Sequence, residues 1–184
     1  MGAIIVTGIP GVGKTTVMET AAKARNLNVV VYGSVMLEVA QRKGLVKARD
    51  EMRRLPAETQ KEIQREAASS IARMGDVIVD THCSIKTPTG YLPGLPAWVL
   101  EALRPSTIVL VEARPEEILR RRQNDATRKR DSDSVESIAE QQEYNRRFAA
   151  ACAILTGATV HTVHNHDNQV ERAIQEILPA VGVR

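Results

Sequence analysis

"GIPGVGKT", residues 8–15, follows the short apolar run "AIIVT" (3–7) and opens "KTTVMETAAKAR" (14–25), which reads as a helix. A glycine-rich turn set between a buried strand and a helix, in the pattern G-x-x-x-x-G-K-[ST], is a phosphate cradle. Gly8, Gly11 and Gly13 allow a backbone path on which N–H groups converge on phosphate oxygens. The positive end of the helix dipole adds to the same place. The candidate nucleotide-binding loop is therefore Gly8, Ile9, Pro10, Gly11, Val12, Gly13, Lys14, Thr15 and Thr16. Within it Lys14 supplies a mobile cation for the outer phosphates, Thr15 a hydroxyl for Mg²⁺, and Thr16 a further donor.

Outward from this loop, four more apolar runs read as strands: "NVVVYG" (28–33), "DVIVD" (76–80), "STIVLVEA" (106–113) and "ATVHTVHN" (158–165). They alternate with helical sequence, including 56–74, opened by Pro56, and 134–155, opened by Ser134; Ser34 reads as the N-cap of the helix after the second strand. Near-continuous Val and Ile in alternating strands and helices predicts an α/β fold, a three-layer αβα domain of the P-loop NTPase kind around a five-stranded parallel sheet. Nothing divides the chain, so residues 1–184 read as one domain with insertions at about 33–75 and 120–134. Ligands of such a sheet bind at the carboxyl ends of its strands.

Composition narrows the function. The net charge is +3 and the sequence pI about 9.0, so the local excess in "RRRQNDATRKRD" (120–131) sits in a nearly balanced chain, and a global polycation is excluded. Aromatics make up 3% of the chain, too few for a surface that stacks bases, and the core must be aliphatic. No apolar run approaches a membrane span and "MGAIIVTG" runs directly into the motif, so the expectation is a soluble, cytoplasmic protein with no membrane partner. Cys83 and Cys152 stand far apart without ligand spacing and read as ordinary thiols rather than a disulfide or zinc framework.

Further site residues follow from the chemistry of phosphate. Asp80, at the carboxyl end of a hydrophobic strand, is placed to hold Mg²⁺ or its water. His82 reads as a structural hydrogen-bonder. Arginine binds phosphate oxygens with a planar fork and keeps its charge, so "ARDEMRRL" (48–55), with Arg49, Arg53 and Arg54, is an anion-binding candidate, as is the 120–131 segment. Arg120, Arg122 and Lys129 read as solvated charges. "KTPTGYLPGLP" (86–96) reads as a turn-rich loop in which Lys86 and Tyr91 are weak ligand candidates, and a metal site on His161, His164 and His166 is disfavoured.

The blocks "TGIPGVGKTT", "YGSVMLEVA", "ARDEMRRLPAETQ", "DTHCSIKTPTGYLPGLP" and "NDATRKRDSDS", in this order, resemble the archaeal type of adenylate kinase over essentially the whole chain. The resemblance implies a nucleoside-monophosphate-kinase fold, transfer from ATP to AMP with Mg²⁺, and a homotrimer. It implies an AMP-binding region with Gly33, Ser34 and Arg54, and a short lid from which Arg121 and Arg128 meet phosphates while Arg147 approaches from the long helix. Asn124 departs from the family pattern, in which a basic residue can stand there. Two other readings stay open: a P-loop ATPase module associated with RNA, and a small-molecule kinase with another acceptor.

Overall fold

Val and Ile dominate four of the five apolar runs, the fifth (158–165) sharing its Val with Thr and His, and each run forms a strand of one parallel sheet. The computed structural model describes residues 2–125 and 134–182. In chain order the elements are β1 (Ala3–Thr7), α1 (Lys14–Arg25), β2 (Asn28–Val31), α2 (Tyr32–Arg42), a 3-10 helix (Arg49–Arg54) and α3 (Ala57–Ala72). There follow β3 (Val77–Asp80), β4 (Ser84–Thr87), β5 (Gly90–Pro93), α4 (Ala97–Leu103), β6 (Thr107–Glu112) and α5 (Pro115–Gln123). The chain ends with α6 (Val135–Thr156), β7 (Thr159–His164), α7 (Val170–Ile177) and a 3-10 turn (Leu178–Val181).

The sheet order is β2-β3-β1-β6-β7, with every pairing parallel. Pleating sends alternate residues to opposite faces. Ala3 and Ile5 join the core under α2, α3, α4 and α6, whereas Ile4 and Val6 join a second core under α1, α5 and α7. Ile4, Ile5, Ile78 and Ile108 are fully buried, each contributing about 1.5–3 kcal/mol of transfer free energy. The central strand β1 therefore carries the phosphate loop at its carboxyl end on a rigid support.

Two local expectations are corrected. Ser34 does not cap α2: the helix begins at Tyr32 after an extended Val31, which leaves Ser34 inside the first turn with its hydroxyl free for another partner. Residues 84–93 are not a loop but an antiparallel hairpin, β4 on β5, with Lys86 opposite Tyr91. This hairpin docks on α6: Tyr91 stacks on Tyr144 with ring centroids 3.9 Å apart, its hydroxyl donates to Glu140 (2.9 Å), and Lys86 donates to Ser137 (2.9 Å). The two cysteines, distant in sequence, are both buried and adjacent as free thiols; hydrogen bonding to Cys152, with burial, pushes the Cys83 thiol up. At the start of α6 the expected cap holds, Ser134 accepting from the Ser137 amide at 3.2 Å.

Candidate active site

The loop after β1 takes its shape from what lies behind it. Gly11 and Gly13 have φ of +87° and +81°, in the left-handed region, and a Cβ on Gly13 would run into the Asn165 amide. Gly8 serves differently: its backbone is unremarkable, but a Cβ there would sit 2.8 Å from the Val111 carbonyl. Arg122 Nε donates to the Pro10 carbonyl (2.8 Å), while Asn165 Nδ2 (2.9 Å) and Arg121 Nη1 (3.1 Å) donate to the Val12 carbonyl. In a planar trans peptide the carbonyl of one residue and the N–H of the next point in opposite directions. Tying the Pro10 and Val12 carbonyls backward therefore turns the Gly11 and Gly13 amides forward. No side chain caps the start of α1 at Gly13, which leaves its first amides available to an anion.

In front of the loop, Val6 lies in register with Asp80, which puts the β3 carboxylate beside the first turn of α1. Lys14 pairs with Asp80 and donates to the Thr81 carbonyl (2.9 Å). His82 bonds through Nδ1 to the Gly8 carbonyl (3.1 Å), a structural contact as expected from the sequence. Lys14, Thr15, Asp80 and His82 line a cleft of about 400 Å³ whose far wall is Tyr32, Gly33, Met36, Arg49 and Gln64. A second cavity of about 290 Å³ shares Gly33, Met36, Arg49, Gln64 and Ile85 with the cleft and continues into Met52, Leu55 and Ile63. The donor cradle and the first insertion thus bound one continuous space.

Some predicted residues stand elsewhere. Arg49 Nη2 donates to Ser34 Oγ (3.1 Å), and its guanidinium lies 3.2 Å from where a Gly33 side chain would begin. Arg49 lines both cavities and Arg53 the second; exposed Arg54 is among the lining residues of neither. The segment is a 3-10 helix, where successive side chains are about 120° apart, and Arg49, its first residue, is the arginine that meets Gly33 and Ser34. Arg121, expected over phosphates, has its donors engaged behind the loop with the Val12 and Asn165 carbonyls and, through Nε and Nη2, with one oxygen of Asp167 (2.9 and 2.6 Å). Arg122, expected in solvent, is buried. Arg147 is 64% exposed, donates to Glu143 (2.9 Å) and lies over Tyr144. Thr127, Arg128, Lys129 and Arg130 lie outside the described residues.

Asn165, Asp167, Glu117 and the two glutamines of α3 were missed. Buried Glu117 accepts from His166 Nδ1 (2.9 Å) and from the Asp167 and Arg114 amides (3.0 and 2.9 Å). Burial alone would raise its carboxyl; these hydrogen bonds outweigh it and hold the carboxyl below the usual range. Arg120 and Arg121 hold the Asp167 carboxyl low. His161 and His164 both bond to Glu176, so each of the three histidines has a partner within the protein.

Known proteins share this arrangement. Residues 7–139 match the family model described as AAA domain. Among solved structures, shikimate kinase from Bacteroides thetaiotaomicron superposes with a TM-score of 0.61 at 16% identity, covering 99% of both chains. Shikimate kinase from Aquifex aeolicus gives 0.55 at 19%, covering 97% of this chain and 95% of that one. At such identity these two speak for the fold alone. The sequence relatives speak for more. An adenylate kinase of Methanopyrus kandleri is 55% identical over 98% of both chains, and one of Thermoplasma acidophilum is 52% identical over 97% of this chain and 98% of its own. A third, of Methanothermobacter thermautotrophicus, is 55% identical over 96% of this chain and 97% of its own. With the phosphate loop of a kinase and relatives that match from end to end, the chain belongs to the adenylate kinase family.

Proposed function

We propose that the continuous cleft carries reversible transfer of the ATP γ-phosphoryl group to AMP, with ATP on the 8–16 loop and AMP on the side of residues 33–64. The observation that carries this reading is the cleft that runs from Lys14 and Thr15 to Arg49 and adjoins, across five shared lining residues, a mainly apolar cavity: phosphate chemistry at one end and room for a base at the other. Forward-facing amides and Lys14 bind the donor phosphates, and Arg49, held by Ser34, grips the acceptor phosphate. Transfer then needs little covalent help from the protein, because positioning and neutralisation of charge lower the barrier.

Thr15 and Asp80 line the same cleft and form the oxygen donor set that suits Mg²⁺. When bound, the ion would neutralise charge on the phosphates; Lys14, which pairs with Asp80 in the protein alone, would then turn to the phosphates. Arg121 and Arg122 act on the donor side by holding the loop carbonyls, and the 120–134 segment supplies Arg128 to the phosphates. Arg147 and Arg54 contribute only peripheral charge. A homotrimer and a cytoplasmic location follow the family resemblance; among the described residues, no helix is long and apolar enough to cross a membrane.

An RNA-associated role finds no support in the aromatics, which serve the fold. Tyr32 is buried, Tyr91 and Tyr144 stack on each other, Trp98 donates to Gln64, and Phe148 packs on the core. A coupled assay with ATP and each of AMP, CMP, UMP and GMP tests the function. AMP is expected to give ADP fastest, and AMP that yields none beyond background ATP hydrolysis overturns it.

A further inference from the structure

The apolar cavity beside Arg49 contains two amides whose orientations are fixed by chemistry. Gln64 accepts from Trp98 Nε1 at 2.9 Å. An indole N–H can only donate, so the atom facing it must be Gln64 Oε1, and Nε2 is what remains to offer. Gln60 Nε2 donates to the Leu55 carbonyl at 2.7 Å. A carbonyl can only accept, so there the amide oxygen remains. Neither Gln64 Nε2 nor Gln60 Oε1 makes a hydrogen bond to any described residue, and both glutamines line the cavity. They are four residues apart on α3 and share a face. The Tyr32 hydroxyl, donating to the Gln64 carbonyl at 2.9 Å, ties that turn of α3 to α2.

Among Met36, Met52, Leu55, Ile63 and Ile85, and beside Arg49 and Arg53, the pocket thus presents one fixed amide donor next to one fixed amide acceptor. Adenine carries the complement, a ring nitrogen that accepts (N1 or N7) next to the N6 amine that donates. Hypoxanthine and guanine do not: N1 bears hydrogen and C6 bears an oxygen, so the N1 edge reverses the pattern and the N7 edge sets the O6 acceptor against Gln60 Oε1. We propose that Gln64 and Gln60 are the base-reading pair of the acceptor site, Gln64 donating to the adenine ring nitrogen and Gln60 accepting from its amine. Trp98 and the Leu55 carbonyl are positioning groups that set the polarity of the pair. This inference rests on the reading that the cavity holds the acceptor's base.

The test compares AMP with IMP, which differs only at N1 and C6, as acceptors at saturating ATP. Unmutated protein is expected to favour AMP by ~100-fold or more in kcat/KM, since a mismatched edge leaves buried polar groups unpaired. Gln64→Glu keeps an acceptor for Trp98 but offers a second acceptor in place of the donor. It is expected to narrow the AMP/IMP ratio by ~10-fold or more, lowering AMP and raising IMP with the KM for ATP unchanged. Trp98→Phe frees the amide to turn and is expected to relax the same ratio by a smaller factor. A Gln64→Glu protein whose AMP/IMP ratio equals that of the unmutated protein overturns the pair while leaving the acceptor site in place; unmutated protein that phosphorylates no nucleoside monophosphate overturns both. Should Gln64→Glu fail to fold, the unmutated protein decides with 1-deaza-AMP and 7-deaza-AMP. One of the two is expected to lose ~10-fold or more in kcat/KM, and full activity with both overturns the proposal.

Discussion

The two ends of the cleft are built on opposite plans. At the proposed donor end backbone amides line the cleft beside the Lys14 and Thr15 side chains, and other side chains work from behind: Arg121, Arg122 and Asn165 hold the Pro10 and Val12 carbonyls, and Asp167 and Glu117 hold that assembly in turn. At the proposed acceptor end the groups lining the cavity are side chains, Arg49 beside Gly33 and Ser34, then Gln64 and Gln60 among mainly apolar neighbours. Backbone amides recognise phosphate, which every nucleoside triphosphate carries, and are blind to the base. Side-chain amides can tell bases apart. Selectivity should therefore reside at the acceptor end, and chemical power and structural sensitivity at the donor end.

Perturbations at the donor end should have the largest effects. Lys14→Ala is expected to reduce kcat by roughly 1,000-fold, the order associated with removing a preorganised charge on the transferring group, without loss of folding. An ADP-formation assay with a melting curve checks it, and a mere rise in KM for ATP with kcat intact would place Lys14 in ground-state binding only. Arg122→Met comes next. It strips a buried donor from the Pro10 carbonyl, so about 2 kcal/mol of stability should go, a fall in Tm of roughly 4–8 °C. The KM for ATP should rise with it while the KM for AMP stays close to its original value. Equal changes in both KM values would erase the division between the two ends.

At the acceptor end, Arg49→Ala is expected to raise the KM for AMP by about 10-fold, the usual scale for one charge-assisted hydrogen bond, with the KM for ATP nearly unchanged. Arg54→Ala should change either KM less than two-fold. Steady-state kinetics on both variants checks the pair, and the opposite ranking would restore Arg54 to the phosphate.

The contrast between the ends also explains what could be read from sequence. Strands built from Val and Ile runs, the Ser134 cap and the glycine-lysine loop follow from local rules, and all are in place. Arg122 was legible in principle: it lies four residues after Ile118, the buried apolar anchor of α5, and so shares its inward face. Counting charges hid that phase. Arg49 was hidden differently, because a 3-10 helix rather than an α-helix decides which arginine meets Gly33, and only tertiary packing selects between the two. Asn165 reaches the loop from more than 150 residues away, and Asp167 reaches Arg121 from 46 residues away, distances that no periodicity spans. The hairpin at 84–93 lacks an alternating apolar face and owes its pairing to contacts with α6.

The smallest effect is the most diagnostic for the backing of the donor loop. Asp167 and Glu117 both have carboxyls held below their usual values, Asp167 by Arg120 and Arg121, and Glu117 by bonds from His166 and two amides that outweigh its burial. A depressed carboxyl contributes stability that is fully present above the unfolded values, about 3.9 for Asp and 4.3 for Glu, and is lost as pH falls through the folded ones. Stability should therefore be insensitive to these two groups from pH 5 to 8 and decline below about pH 4. Asp167 is 35% exposed, so solvent screening keeps its pairing near about 0.5 kcal/mol, and Asp167→Asn should lower Tm at pH 7 by only a degree or two. The same variant should flatten the acid limb of a plot of Tm against pH, because the carboxylate that protonates there is gone. If the acid limb keeps its full slope in Asp167→Asn, Arg121 is not held by charge, and the backing of the loop rests on Asn165 and Arg122 alone.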